Sequence, residues 1–307
     1  AIKASGRPVN LVTIQTAGGT RSAISEGAAW VREALAQISR VPRIPMGPSE
    51  LVIGTICGGS DGTSGLTGNP ATGRAFDQLI AQGATCIFEE TGELIGCEHI
   101  MAARAATPDL KADLVATVEK AAKYYAAMGY GSFAQGNATG GLSTIEEKSL
   151  GAYAKSGDSP ISGILRPAQP APKGGLYLLD VVPEGPPKFG FPNINDNAEI
   201  IELISCGAHA VIFVTGRGSV VGSAISPVLK VCANPETYAR MSEDMDINAG
   251  RVLTGEATLE EVGAEIYESL LSLADGGTTV SEELGHREFV LTYKTAATAQ
   301  PGCHVAS

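Results

Sequence analysis

The chain has 307 residues, 44% of them hydrophobic, enough to bury a sizeable core as one large domain or two smaller ones. Its formal charge of −11 and pI near 4.9 argue against a nucleic-acid partner, which rewards basic faces. Neither a long uninterrupted apolar run nor a secretory apolar region at Ala1-Ile2-Lys3-Ala4-Ser5-Gly6 is present, so no membrane span and no export signal are expected.

Six cysteines (Cys57, Cys86, Cys97, Cys206, Cys232, Cys303) lie far apart with no C-x-x-C pair, and read as reduced, buried thiols of a cytoplasmic protein. The chain begins without Met, close to a strand expected over 11–15, which reads as a processed fragment. An amphipathic helix follows over 24–38, with Trp30, Val31, Ala34, Leu35 and Ile38 at helical spacing.

After a proline-rich connection at 41–48 comes an apolar strand at 51–56. It empties into Cys57-Gly58-Gly59-Ser60-Asp61, continued through Ser64 to Asn69-Pro70, and then into a helix ending near Ala81 and a short strand at 84–88. Alternating strands and helices predict an α/β fold, a largely parallel sheet with flanking helices in Rossmann-like layers. Ligands in such folds bind beyond the carboxyl ends of strands, where the Cys57 loop falls. A glycine-rich, hydroxyl-rich loop entering a helix gathers backbone N–H groups suited to a carboxylate or phosphate. Tight connections also need glycine for positive φ, but they do not need this density of thiol, hydroxyl, carboxylate and amide groups.

The next strand ends in Glu89-Glu90-Thr91-Gly92-Glu93, followed by Cys97-Glu98-His99. Carboxylates and an imidazole this close can converge on a divalent metal or form an acid/base set; an acidic helix start is the alternative. A regular helix over 108–125, capped by Thr107, precedes a second polar glycine loop, 129–141, containing Asn137. Ser143 and Glu146 have capping-box spacing, with Lys148 beyond them.

The prolines of 166–193 divide the chain into an α/β half over 1–165 and another over 166–307, or else form a long loop over one continuous domain. A short strand is expected there at 176–182. In the second half a helix at 199–205 and a strand at 208–214 lead into Thr215-Gly216-Arg217-Gly218, and an arginine in a glycine loop suits forked recognition of a carboxylate. A strand at 228–232, a polar cluster from Asp244 to Gly250 and an amphipathic helix over 259–274 complete the series. His209 reads as a satisfied core histidine; His286 and His304 look peripheral.

Five motifs occurring in order make the chain resemble the altronate/galactarate dehydratase family, in its large carboxy-terminal catalytic region. They are Cys57-Gly58-Gly59-Ser60-Asp61 with Ser64-Gly65 and Asn69-Pro70; Glu90-Thr91-Gly92-Glu93 through Glu98-His99; Gly136-Asn137 through Gly140-Gly141 with Glu146-Glu147-Lys148; Thr215-Gly216-Arg217-Gly218; and Asp246-Ile247-Asn248-Ala249-Gly250. The same family includes the large subunit of sulfolactate sulfo-lyase, which Leu284-Gly285-His286-Arg287-Glu288-Phe289-Val290-Leu291 also resembles. Arg217 and the Asp246 to Gly250 pattern favour a sugar-acid dehydratase over that sulfo-lyase.

The resemblance implies loss of water from a sugar acid to give a 2-keto-3-deoxy acid, and a requirement for iron(II), with manganese or magnesium as alternatives. Metal ligation is expected at Cys57, Glu90, Glu93 and His99. Substrate contacts are expected from Gly58, Gly59, Ser60, Ser64, Asn69, Asn137, Thr215, Arg217 and Asn248, with Asp61, Lys148 and Asp246 as unranked acid/base candidates. Members usually carry an upstream Gly-Arg-x-Gly-x-Arg-Asn signature and a small β-rich domain, fused or as a separate subunit; neither is visible here, so such a partner is expected, together with a homo-oligomeric state.

Overall fold

The computed structural model describes residues 6–127, 135–183 and 195–290. Cys303, His304 and the prolines at 186, 187 and 192 lie outside them, as does most of the glycine loop before residue 135. The helices are α1 (Thr20–Ile38), α2 (Gly68–Ala81), α3 (Glu98–Ala103), α4 (Pro108–Ala127), α5 (Gln135–Thr139), α6 (Ile145–Tyr153), α7 (Asp196–Ser205), α8 (Pro235–Met241), α9 (Arg251–Thr254), α10 (Leu259–Ala274) and α11 (Val280–Glu283). The strands are β1 (Val52–Cys57), β2 (Thr85–Phe88), β3 (Ile161–Leu165), β4 (Gly175–Leu179), β5 (Ala210–Thr215), β6 (Val228–Cys232) and β7 (Ile247–Asn248).

The chain divides into two compact units, Ala1–Met46 and Gly47–Ser307. In the first, α1 forms over the expected amphipathic segment but has no buried residue, leaving Ile24, Val31, Leu35 and Ile38 exposed. The strand expected at 11–15 is not there; a turn begins at residue 14 instead. A strand needs a ladder partner for its N–H and C=O groups, and no described segment pairs with it.

The second unit is built on a seven-stranded sheet in the order β3-β4-β2-β1-β5-β6-β7, every pairing parallel. The expected α/β architecture is therefore present, and the sheet takes strands from both sides of residue 165. Parallel strands covered on both faces read as continuous apolar runs, as in Ala210–Thr215, buried throughout. On one face Phe76 and Leu79 of α2 and Val262 and Ile266 of α10 pack with Ile53, Phe88, Ile212 and Val231; on the other, Ile200 and Leu203 of α7 pack with Ile56, Ile87, Val211 and Phe213. Among the described residues no helix is long and apolar enough to cross a membrane.

Strand order positions the site. From β1 the chain builds outward through β2 to β4 and β3, then returns to lay β5 on β1's other edge. The carboxyl ends of β1 and β5 therefore flank a topological switch point, where connecting loops diverge and leave a crevice.

Side-chain caps start several of the helices. Thr258 caps α10 in a capping box with Glu261, and Asn195 caps α7 through the Ala198 N–H. The box expected at Ser143/Glu146 does not form: Thr144 is the cap and accepts from the Glu147 N–H, while the Glu147 carboxylate accepts from the Ser143 N–H and hydroxyl at 2.7 and 2.5 Å. β3 was not anticipated, because Ser162 and Gly163 interrupt its apolar pattern and prolines flank it. His209 is exposed rather than in the core; it precedes β5 and its Nδ1 accepts from the Val52 N–H at 3.2 Å.

Candidate active site

β1 delivers Cys57, 4% exposed, to the carboxyl edge of the sheet. The loop after it is held to the neighbouring strand's loop by backbone bonds: the Gly58 N–H donates to Val214 O at 3.0 Å, and the Gly216 and Arg217 N–H groups donate to Gly59 O at 3.2 and 2.9 Å. Gly59 adopts φ 63°, a conformation that suits glycine. The CGGSD and TGRG motifs, about 155 residues apart in sequence, are thus one double loop at the switch point. Thr215 Oγ1 accepts from the Gly218 N–H at 3.0 Å, and Arg217 is exposed at the rim.

β2 supplies the acidic side. Glu90, 5% exposed, sits at φ 77°, a left-handed conformation costly for a residue with a side chain. That turn brings its carboxylate back to the β1 terminus, where Oε2 accepts from the Cys57 N–H at 3.0 Å and both oxygens lie 3.3 Å from Cys57 Sγ. Glu93 Oε2 lies 3.5 Å from the same sulfur. The Cys57, Glu90 and Glu93 ligand atoms all fall within 4.8 Å of one another.

His99, expected as a fourth ligand, stands exposed on α3 and is not part of that group. The 3-10 turn holding Glu93 ends before α3 begins, and Glu98 there accepts from the Gly96 N–H at 3.1 Å, an acidic helix start.

Two lysines close the group. Lys148 pairs with Glu93 and lies 3.6 Å from Cys57 Sγ; Lys155 pairs with Glu90 and lies 3.2 Å from the same sulfur. Both are at most 3% exposed. They are seven residues apart, two turns on one face of a helical run in which α6 passes into a 3-10 turn. Burial opposes the Lys148 charge, but Cys57 and Glu93 outweigh it and push its pKa above the ordinary lysine value. Lys155 was missed in the sequence, although its spacing from Lys148 was the available signal.

The remaining expected residues fall into three settings. Ser60 donates to Cys57 Sγ at 3.4 Å, and Ser60, Asp61, Ser64, Asn69 and Lys148 line an open cavity of about 300 Å³ between the Cys57 loop and α6. Asn137 is buried beside the second glycine loop, which docks on the first where the Gly62 N–H donates to Gly140 O at 3.0 Å. Asn248 ends β7, two strands beyond β5, and accepts through its backbone oxygen from Arg251 Nε at 3.0 Å.

Two of the acid/base candidates are heavily engaged. Asp61 Oδ1 accepts from the N–H and hydroxyl of both Thr63 and Ser64, while Oδ2 accepts from Asn234 Nδ2 at 2.8 Å. Asp246 accepts from the Lys230 and Val280 N–H groups at 2.7 and 2.8 Å, and burial raises its pKa against those bonds.

Asp196, absent from the sequence-based expectations, belongs to this site. It opens α7 beside the Cys57 loop, where a Cβ on Gly58 would lie 2.5 Å from Asp196 Oδ2. Burial raises its pKa first, then the nearby Glu93 charge; Lys148 and Arg217 pull the other way.

A family model described as D-galactarate/altronate dehydratase, C-terminal, matches residues 48–297. The chain is 38% identical to the (2R)-sulfolactate sulfo-lyase subunit beta of Chromohalobacter salexigens, over 95% of this chain and 73% of that protein. It is 36% identical to the galactarate dehydratase (L-threo-forming) of Escherichia coli and 34% to the altronate dehydratase of Bacillus subtilis, over 77% and 81% of this chain. It spans 44% and 48% of those two dehydratases.

Proposed function

Because the chain belongs to the D-galactarate/altronate dehydratase C-terminal family, whose matched relatives are lyases, we propose that it is the catalytic region of a hydro-lyase converting a sugar acid to a 2-keto-3-deoxy acid. The observation that carries this reading is the convergence of Cys57, Glu90, Glu93, Lys148 and the Arg217 loop at one switch-point crevice.

A buried thiol with one buried and one half-buried carboxylate fits a divalent cation in donor chemistry, iron(II) first and manganese or magnesium as alternatives. Cys57, Glu90 and Glu93 would hold it, with His99 left out. Such an ion, when bound, supplies Lewis acidity toward the substrate's carboxylate and 2-hydroxyl. Arg217 and the N–H groups of the two glycine loops orient the substrate's carboxylate. Lys148, 3.6 Å from Cys57 Sγ, stabilises negative charge as the C2 proton leaves and serves as proton donor to the departing 3-hydroxyl. Asp61 and Asp246 keep positioning roles, since their oxygens bind the loops together.

A second reading changes the leaving group to sulfite, with a sulfonated 2-hydroxy acid as substrate; it rests on the 38% identity with the sulfo-lyase subunit over 95% of this chain. A small β-rich partner, a homo-oligomeric assembly and a cytoplasmic setting belong to both readings. Assay of the purified protein with C6 sugar acids and with sulfolactate, scoring 2-keto product and sulfite separately, decides between them. The dehydratase reading expects keto acid without sulfite, and loss of turnover on chelation restored by iron(II). Sulfite release alone would replace it with the second.

A further inference from the structure

The site requires a group to take the proton from C2, and the two aspartates named in the sequence are poorly placed for it, because their oxygens are occupied by hydrogen bonds from neighbouring loops. A carboxylate that must accept a proton from carbon needs a free lone pair facing the substrate and a setting that does not overstabilise its charged form. Asp196 is the carboxylate that stands against the Cys57 loop. Among the described residues no other side chain donates to its carboxylate, which takes a hydrogen bond from its own backbone, and it lies against the backbone of Gly58, in the loop whose N–H groups and Arg217 neighbour are assigned to the substrate. It feels the charges of Glu93, Lys148 and Arg217, which come from three separate segments of this one site. Gly58 itself is explained by the arrangement, since any side chain there would collide with the Asp196 carboxylate and the Phe213 ring.

We propose that Asp196 is the general base of the reaction, a catalytic residue abstracting the proton from the carbon that bears the 2-hydroxyl. This deepens the lyase reading above. The C2–H bond breaks, its proton passes to an Asp196 oxygen, and its electron pair forms the C1–C2 enolate. That pair then forms the C2–C3 double bond as the C3–O bond breaks, with Lys148 giving a proton to the leaving hydroxide so that it departs as water. The resulting enol tautomerises to the 2-keto acid, and no oxidant or reductant is needed. The same step serves elimination of sulfite, so the assignment is independent of the leaving group.

The test uses the full chain and whichever of the two acids the wild-type protein turns over. Asp196→Asn should lower kcat by a factor on the order of 10² to 10⁴ with KM little changed, and should abolish exchange of the substrate C2 hydrogen in D2O. Asp196→Ala should regain part of its turnover when formate is added, which a merely structural residue would not show. Wild-type melting temperatures for both variants keep misfolding out of the comparison. Exchange at the wild-type rate in Asp196→Asn, or the absence of formate rescue in a folded Asp196→Ala, would overturn the assignment. The identity of the acid turned over tests the dehydratase reading separately.

Discussion

Lys155 shows how much a single buried charge can organise. At 1% exposure it has exchanged water for Glu90 and the Cys57 sulfur, and removing one member of such a pair leaves its partner's charge buried without compensation. Lys155→Met is expected to cost about 3–5 kcal/mol by that argument, measured by urea unfolding of the metal-free protein; a loss below about 1 kcal/mol would place the pair in the class of exposed bridges. Lys230 is the opposite case. It is fully buried within β6, and its Nζ has no hydrogen-bond partner among the described residues. Burial lowers its pKa below the ordinary 10.5, against the pull of Asp244, Asp246 and Glu288. Between that lowered folded value and 10.5 the unfolded chain binds more protons than the folded one, so stability rises with pH across the window. Lys230→Met should flatten that rise, read from urea midpoints at stepped pH; identical slopes in the two proteins would exclude Lys230 as its source.

At the scale of elements, the site depends on close backbone packing between the Cys57 loop and α6. A Cβ on Gly65 would stand 2.7 Å from Gly151 Cα, and since backbone cannot yield as a flexible side chain does, α6 would have to move. Gly65→Ala is therefore expected to cost about 1–3 kcal/mol and to reduce turnover more than substrate affinity, because Lys148 rides on the displaced helix. Thermal midpoints with steady-state kinetics check both parts. A variant of wild-type stability and activity would show that the packing tolerates a methyl group. The capping of α6 makes a related point: Thr144 and Ser143 both have the chemistry of a cap, and it is Thr144 that accepts from the Glu147 N–H while Ser143 binds the Glu147 carboxylate.

For the whole molecule, all three hydrophobic clusters of buried residues among the described residues begin at Leu51 or later, while α1 buries nothing. Residues 47–307 are accordingly expected to fold alone with one cooperative unfolding transition, followed by circular dichroism on heating; a broad, non-cooperative melt would show that the first unit contributes to the core. What the sequence by itself determined was the alternation of elements, the α/β class and the five motifs, with Cys57, Glu90, Glu93, Lys148 and Arg217 as candidates within them, because burial on both sheet faces leaves apolar runs and glycine-rich loops leave a local signature. Only the tertiary structure decided which of these meet. The strand order that returns from β4 to β5 places the Cys57 and Arg217 loops side by side, the left-handed turn at Glu90 folds its carboxylate onto the thiol, and His99 is left outside while Lys155 and Asp196 come in. Ligand geometry depends on contacts between segments far apart along the chain, and no local pattern encodes the crossover that brings them together.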